Sequence, residues 1–140
     1  MFETVVVGAD GSASAADAVQ QAIELVKLTG GQLHIVSAYK PQQIKLAGGD
    51  EFARSLDTGD LADSVLADLA GRARTAGVEV QIHGKAGSPA DAICEIAAEV
   101  SADLIIVGNK GMKGVRRVLG SVPNSVAHQA PCAVLIAATT

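Results

Sequence analysis

Short runs of β-branched and apolar residues alternate with longer stretches of helical period along this chain of 140 residues. Such alternation is typical of βαβ units, in which helices join parallel strands. The first and fourth runs are apolar throughout, which predicts central strands covered on both faces, whereas VEVQIH alternates and predicts an edge strand. The five predicted strands are Thr4–Gly8, Leu33–Ala38, Val78–His83, Asp103–Gly108 and Cys132–Ala137.

Four segments between the strands have the spacing of amphipathic helices. They begin near Ser14, Asp60, Ser88 and Ser121. We expect Ser14 to cap the first helix and Gly30 to end it. Residues 40–59 follow neither period, which is typical of a lid, a binding loop or a disordered connection.

Five parallel strands joined by right-handed crossovers have few possible arrangements. The most economical is a doubly wound, Rossmann-like α/β fold with a five-stranded parallel sheet in order 3-2-1-4-5 and helices on both faces. The first and fourth strands are then neighbours whose connections leave toward opposite faces, and ligands of open α/β sheets bind beyond the carboxyl ends there. Ala9, Asp10 and residues 109–120 follow those two strands, so the topology predicts a site at these positions.

Length and composition narrow the class of protein. One domain spanning residues 1–140 fits the length, and 49% apolar residues can build a core without disulfides or metals. A net charge of −4 and 2% aromatic residues argue against a nucleic-acid binder, which needs basic clusters or stacking platforms. With no signal peptide and no apolar run near the ~20 residues of a membrane span, we expect a cytoplasmic protein without membrane contact. Cys94 and Cys132 lack redox or zinc spacing and are expected to be buried free thiols.

Glycine and positive charge are concentrated in GNKGMKGVRRVLGS, directly after the fourth strand. Glycine lets backbone N–H groups approach an anion, and the helix that follows presents unpaired amides. No acid interrupts the basic residues of this loop, which are Lys110, Lys113, Arg116 and Arg117. Phosphate is the natural partner, although a plain turn with solvated cations remains an alternative. The spacing is neither GxxxxGK[ST] nor GxGxxG, so a P-loop NTPase or a dehydrogenase is not supported.

The segment GNKGMKGVRRVLGSVPNSVAHQAPCAVLI resembles the C-terminal signature of the universal stress protein family, and VVVGADGSASAADAV resembles its N-terminal strand and turn. The resemblance covers essentially the whole chain and implies the single-domain, ATP-binding type. The family motif G-x2-G-x9-G-[S/T], which holds phosphate and ribose, falls on Gly108, Gly111, Gly120 and Ser121. Eight residues separate Gly111 from Gly120, one fewer than in the motif, so we expect a tightened loop.

The resemblance also implies roles outside the glycine motif. Asp10 matches the acidic position near adenine and ribose, where a carboxylate accepts from an amine or hydroxyl; an Asx-turn or helix cap is the alternative. Ala38 would offer backbone groups to the adenine edge, while Val107 and Val122 would line the pocket. The side chains that would add positive charge are Lys110, Lys113 and Arg116.

These features predict an adenine-nucleotide-binding stress-response regulator that acts as a dimeric sensor or adaptor, with a protein partner still unknown. ATP is the first expectation, with Mg²⁺ bridging its phosphate oxygens, and AMP or cyclic AMP remain possible. Residues 133–137 would form an exposed sheet edge suited to homodimerisation, as the resemblance also implies. One alternative is an interaction module without nucleotide, favoured by the shorter loop and by Pro123, which supplies no N–H.

A second alternative is a slow ATPase or phosphotransferase. No motif places a second carboxylate beside Asp10 to activate water, and no GxSxG elbow is present, so turnover would be weak at most. The histidines His34, His83 and His128 have no partner at ligand spacing, and we expect them to be structural or on the surface. Neither a catalytic residue nor a protein-held metal site is therefore predicted.

Overall fold

The computed structural model describes residues 1–39, 63–109 and 121–139, which form five strands and four helices. The strands are β1 (Thr4–Gly8), β2 (Gln32–Tyr39), β3 (Glu79–Ala86), β4 (Leu104–Gly108) and β5 (Ala133–Ala137). The helices are α1 (Ala13–Thr29), α2 (residues 63–75), α3 (Pro89–Glu99) and α4 (Val122–Gln129).

All strand pairs are parallel, and the sheet order is β3-β2-β1-β4-β5. The predicted doubly wound topology is therefore confirmed. β1 pairs with β2 on one side and with β4 on the other, so the switch point lies where the sequence analysis predicts it. The carboxyl ends of β1 and β4 are then adjacent, and the chain leaves them in opposite directions.

The core consists of two apolar layers, one on each face of the sheet. Val5 and Val7 face the layer shared with α1 and α2, while Val6 faces the layer shared with α3 and α4. All three valines are 0% exposed, and β4 is buried from Leu104 to Val107, which confirms the predicted central strands. The valine run is needed because both faces of β1 are covered.

β3 is the edge strand predicted from its alternating pattern. It runs three residues beyond His83, because its pairing with β2 continues to the contact between Tyr39 and Ala86. Residues 84–86, which extend the strand beyond the prediction, include glycine and lysine, two residues depleted in strands.

The predicted N-cap of α1 is wrong by two residues. Gly11 has a left-handed φ of +84°, a conformation that favours glycine, and this turn brings Ser12 to the cap position. The Ser12 side chain accepts a hydrogen bond from the Ala15 N–H at 3.1 Å. Ser14 instead lies inside the first turn and is buried.

The predictions for residues 40–59 and for the start of the second helix near Asp60 lie outside the described residues, as does most of the glycine-rich loop. Among the helices that the structure describes, none is both long enough and apolar enough to cross a membrane.

Candidate functional site

A cleft opens at the switch point, beyond the carboxyl ends of β1, β2 and β4. It encloses about 650 Å³ of empty space including its open mouth. The lining comes from six elements and from the turn after β1: Gly8, Ala9, Asp10, Ser12, Ser14, Ala15, Val36, Ala38, Pro89, Ile93, Val107, Gly108, Val122 and Pro123.

Two glycines at the strand ends let neighbouring side chains approach the floor of the cleft. A Cβ on Gly8 would lie 2.5 Å from the Ile93 Cδ1 atom, and a Cβ on Gly108 would lie 2.9 Å from the Ser14 hydroxyl oxygen. Glycine at 108 therefore has a packing reason in this chain, independent of any ligand. Substituting either glycine would force the Ile93 or Ser14 side chain to move.

The walls of the cleft are mostly apolar. Val36 and Ala38 from β2, Val107 from β4 and Ile93 from α3 belong to or pack against the same core layer. Aliphatic walls with few polar groups suit a flat, weakly polar ring such as a nucleobase, which dispersion holds and main-chain groups orient.

Asp10 supplies the carboxylate at the mouth of the cleft. The side chain is exposed, and its Oδ1 accepts a hydrogen bond from the Ser12 N–H at 2.9 Å. This contact is of the Asx-turn type, which the sequence analysis gave as the alternative role of Asp10. A carboxylate has two oxygens with several lone pairs and can accept from more than one donor, including a ligand hydroxyl or amine.

A chain of polar side chains links the cleft to the residue that precedes the glycine-rich loop. The Thr139 N–H donates to Asn109 Oδ1 at 3.0 Å, and the Thr139 hydroxyl donates to the same oxygen at 3.1 Å. Because the Thr139 hydrogen is used there, the contacting Ser14 hydroxyl must donate to Thr139 Oγ1. Ser14 can therefore offer only lone pairs to a ligand.

The start of α4 borders the cleft where a phosphate would reach it. Ser121 is the N-cap and accepts from the Asn124 N–H at 3.3 Å, while its carbonyl accepts from the Ser125 N–H at 3.0 Å. Pro123 has no N–H, so Val122 holds the first-turn amide that is left for an anion. Capping uses a lone pair of Ser121 Oγ and leaves the hydroxyl hydrogen to donate.

The predicted site residues fall into three groups. Six of them line the cleft together, namely Ala9, Asp10, Ala38, Val107, Gly108 and Val122. Ser121 is buried beside the cleft at the cap of α4. Five lie outside the described residues: Lys110, Gly111, Lys113, Arg116 and Gly120.

Sequence reasoning missed several cleft residues: Gly8, Ser12, Ser14, Ala15, Val36, Pro89 and Ile93. Most of them follow from topology, since residues at the carboxyl end of β2 and at the amino ends of α1 and α3 must face a switch point. In the sequence, Ile93 is an apolar position of a predicted helix, and a place in the core explains that position as well as a place in the cleft does.

Two of the three histidines contact each other, a pairing that the sequence analysis did not predict. His34 Nδ1 and His83 Nε2 lie 2.9 Å apart, and the ring centroids are separated by 5.2 Å. Among the residues that the structure describes, no group of three or more His, Cys, Asp or Glu side chains could hold a metal ion. Cys94 is a buried free thiol as predicted, whereas Cys132 is only half-buried; burial raises the pKa of both.

Fold and cleft together define a small doubly wound α/β domain with a ligand-sized site at its switch point. The universal stress protein family model matches residues 1–138. A universal stress protein of Mycobacterium tuberculosis is 38% identical over 145 residues, which cover 99% of this chain and 98% of the relative. The chain therefore belongs to the universal stress protein family.

Solved structures agree with this assignment. The structure of a universal stress protein in complex with cAMP is 35% identical, with a TM-score of 0.81 over 99% of this chain and 98% of that chain. A family protein from Arabidopsis thaliana with AMP bound is 20% identical, with a TM-score of 0.71 over 98% of this chain and 92% of that chain. The second likeness shows the fold alone.

Proposed function

We propose that the cleft binds an adenine nucleotide and that the chain acts as a dimeric sensor or adaptor. The observation that carries this proposal is the cleft itself, at the switch point, with aliphatic walls for a base and acceptors for a ribose. The 35% identical universal stress protein, solved in complex with cAMP, supports the same ligand class.

Base and ribose would occupy different parts of the cleft. Ala38, Val107 and Ile93 form the apolar part, which suits adenine. The Asp10 carboxylate and the Ser14 lone pairs can both accept from ribose hydroxyls. This acceptor set favours a nucleoside over a free phosphate.

The phosphate end depends on residues beyond the described part of the cleft. The described lining contains one charged residue, Asp10, and no cation. The α4 N-terminus adds the Val122 N–H and the Ser121 hydroxyl, and the resemblance assigns the remaining contacts to Lys110 and the loop that follows. Mg²⁺ would arrive with a triphosphate, held by phosphate oxygens, because Asp10 is the one carboxylate in this lining.

Cyclic AMP now ranks first among the three candidate nucleotides. ATP was the first expectation from the motif, but the cAMP complex is a whole-chain match at 35% identity. A cyclic monophosphate also places the smallest negative charge beside Asp10.

Calorimetric titration with cAMP, AMP and ATP·Mg²⁺ tests the ligand class. Ala38→Leu fills the apolar part of the cleft and is expected to weaken binding at least about tenfold, since the base would lose its contacts. Ala67→Leu is the matched control, because Ala67 is exposed on α2 away from the cleft. Gly111→Val adds a side chain to the glycine-rich loop and tests in the same titrations whether this loop takes part in binding.

Absence of binding by all three nucleotides to folded protein would contradict the proposal and leave an interaction module as the better reading. Equal affinity in Ala38→Leu and Ala67→Leu would place the ligand elsewhere.

Dimerisation would use the β5 edge of the sheet. Leu135 and Ile136 are each 39% exposed, and their side chains alternate between the two faces of the strand. An exposed apolar edge strand is suited to pairing with a second copy. Sedimentation should show a dimer that Leu135→Asp converts to monomer; a wild-type monomer at high micromolar concentration would exclude this interface.

A further inference from the structure

The edge formed by β2 and β3 contains a buried imidazole pair that nucleotide binding does not use. His34 is 2% exposed, and its Nε2 has no hydrogen-bond partner among the described residues. Its Nδ1 contacts Nε2 of the half-buried His83 at 2.9 Å, with the rings inclined by 30°. Such a buried, incompletely satisfied polar group needs an explanation.

The bonding pattern fixes where the hydrogens lie. A hydrogen on His34 Nε2 would be a buried donor without an acceptor, which costs more than an unused lone pair. The hydrogen therefore lies on His34 Nδ1 and is donated to His83 Nε2. Both rings are neutral in this arrangement.

A proton added to either ring is unfavourable in this arrangement. Protonated His83 would carry a hydrogen on Nε2, facing the hydrogen on His34 Nδ1. Protonated His34 would bury a charged Nε2–H that no described acceptor meets. The neutral pair and an acidic medium are thus incompatible.

The surrounding charges do not reverse this preference. Strand β3 places Glu79 and Lys85 near the pair, and α3 places Glu95 and Glu99 on the same face through their ion pairs with Lys85 at 2.9 and 3.0 Å. From β1, the residue in register with His34 is the apolar Val6. Burial lowers the pKa of His34, and the neighbouring His83 lowers it further against an opposing effect of Glu79.

The pKa of His83 is shifted in the same direction. Burial lowers its pKa, Glu99 opposes that shift, and Lys85 reinforces it. A histidine whose folded-state pKa lies below its unfolded value of about 6.5 binds fewer protons when folded. Stability is therefore complete above about pH 6.5 and is lost as the pH falls.

The pair is connected to the cleft through two elements. β2 carries His34 and, one residue before its end, the cleft residue Ala38, while α3 lies over the pair with its Glu99 end and lines the cleft with Ile93. We propose that the His34–His83 pair is an acid-sensitive latch that holds β2, β3 and α3 together and whose protonation weakens nucleotide binding. The second half of this proposal rests on the proposed function.

Two arms of one experiment separate the latch from its coupling to the ligand. The first measures denaturant unfolding of the ligand-free chain between pH 8 and pH 5, together with NMR titration of the imidazole signals. The second measures the affinity for cAMP over the same range, because a cyclic phosphodiester lacks the second phosphate ionisation near pH 6.

His83→Gln is the central variant, since its amide oxygen can accept from His34 Nδ1 but cannot be protonated. His128→Gln is the matched control, because His128 is exposed at the end of α4. The wild type and His128→Gln should lose stability in acid and bind cAMP roughly three- to tenfold more weakly at pH 5.5 than at pH 7.5. Over the same pH range, His83→Gln should lose less than half as much stability and less than half as much affinity for cAMP.

Titration of either paired histidine above pH 6.5 in the wild type would overturn the latch without need of a variant. Equal pH dependence of stability in wild type and His83→Gln would do the same. If stability falls in acid as predicted but cAMP affinity does not change with pH, the latch stands and only its coupling to nucleotide binding is overturned. If no nucleotide binds at any pH, the proposed function fails, and the unfolding arm still decides the latch.

Discussion

At the amino ends of the strands, main-chain hydrogen bonds and one carboxylate tie the elements together, whereas the carboxyl ends of β1 and β4 leave a cleft. Asp103 accepts from the N–H groups of Glu3 and Thr4, each at 3.1 Å. Its own N–H donates to the Thr4 carbonyl at 3.0 Å, and the Gln32 N–H donates to the Glu3 carbonyl at 2.7 Å.

At the opposite end the Ala9 N–H donates to the Val36 carbonyl at 2.8 Å, but glycines, small residues and hydroxyls border an open cleft. Gly8 and Gly108 end the two switch-point strands, and Ser14 and Thr139 lie beside them. The difference teaches that one end of this sheet holds the fold together while the other is available for binding. Substitutions at the amino end should change stability, and those at the carboxyl end should change affinity.

The largest stability effect is expected at Gly31. A Cβ at this position would overlap the carbonyl oxygen of Glu3, which is main chain and cannot turn aside. Gly31→Ala should lower the free energy of unfolding by more than about 3 kcal/mol or prevent folding. Gly71→Ala, where nothing lies within 4 Å of the added Cβ, should raise it by about 0.5–1 kcal/mol. Denaturant unfolding of both variants checks this, and a Gly31→Ala protein within 1 kcal/mol of wild type would contradict it.

A smaller loss is expected when the Asp103 carboxylate is removed. Asp103→Ala leaves the N–H groups of Glu3 and Thr4 without their acceptor and should cost about 1–2 kcal/mol, since the site is only half-buried. Nucleotide affinity should stay unchanged. Asp68→Ala is the control, because its ion pair with Arg72 is exposed and should contribute less than about 0.5 kcal/mol. An altered nucleotide affinity in Asp103→Ala would break the separation between the two ends.

The smallest effect on stability, with a measurable effect on binding, is expected at Thr139. Thr139→Val removes the hydroxyl between Ser14 and Asn109, which frees Ser14 to rotate and loosens the start of the loop. Affinity should fall about threefold while stability changes by less than about 1 kcal/mol. Thr139→Ser keeps the hydroxyl and should restore binding. Identical affinities for the valine and serine variants would show that the chain of hydroxyls has no part in the site.

Local pattern was sufficient to predict the sheet. Continuous apolar runs and short helices between them leave one economical order, and that order is the one observed. The end of β3 was missed because its last residues are held by pairing with Tyr39 rather than by their own strand propensity. The N-cap was misplaced because two serines, Ser12 and Ser14, follow Gly11, and only the left-handed φ of Gly11 selects Ser12.

The site was only partly predictable, because some of its contacts join residues that are far apart in the sequence. Topology predicted Asp10 at the site, and the family resemblance implied Ala38 and Val107; all three line the cleft. Contacts between distant positions, such as Ser14 with Thr139 or His34 with His83, depend on register and side-chain direction. A single sequence contains no local signal for either pair.

Mapping of amide chemical shifts during titration with cAMP tests the binding account most directly. The account predicts that shifts concentrate at the carboxyl ends, at Ala9, Ala38 and Val107, while Gly31 and Asp103 at the amino end stay unchanged. Shifts centred on the amino end, or no shifts with cAMP, AMP or ATP·Mg²⁺, would contradict it.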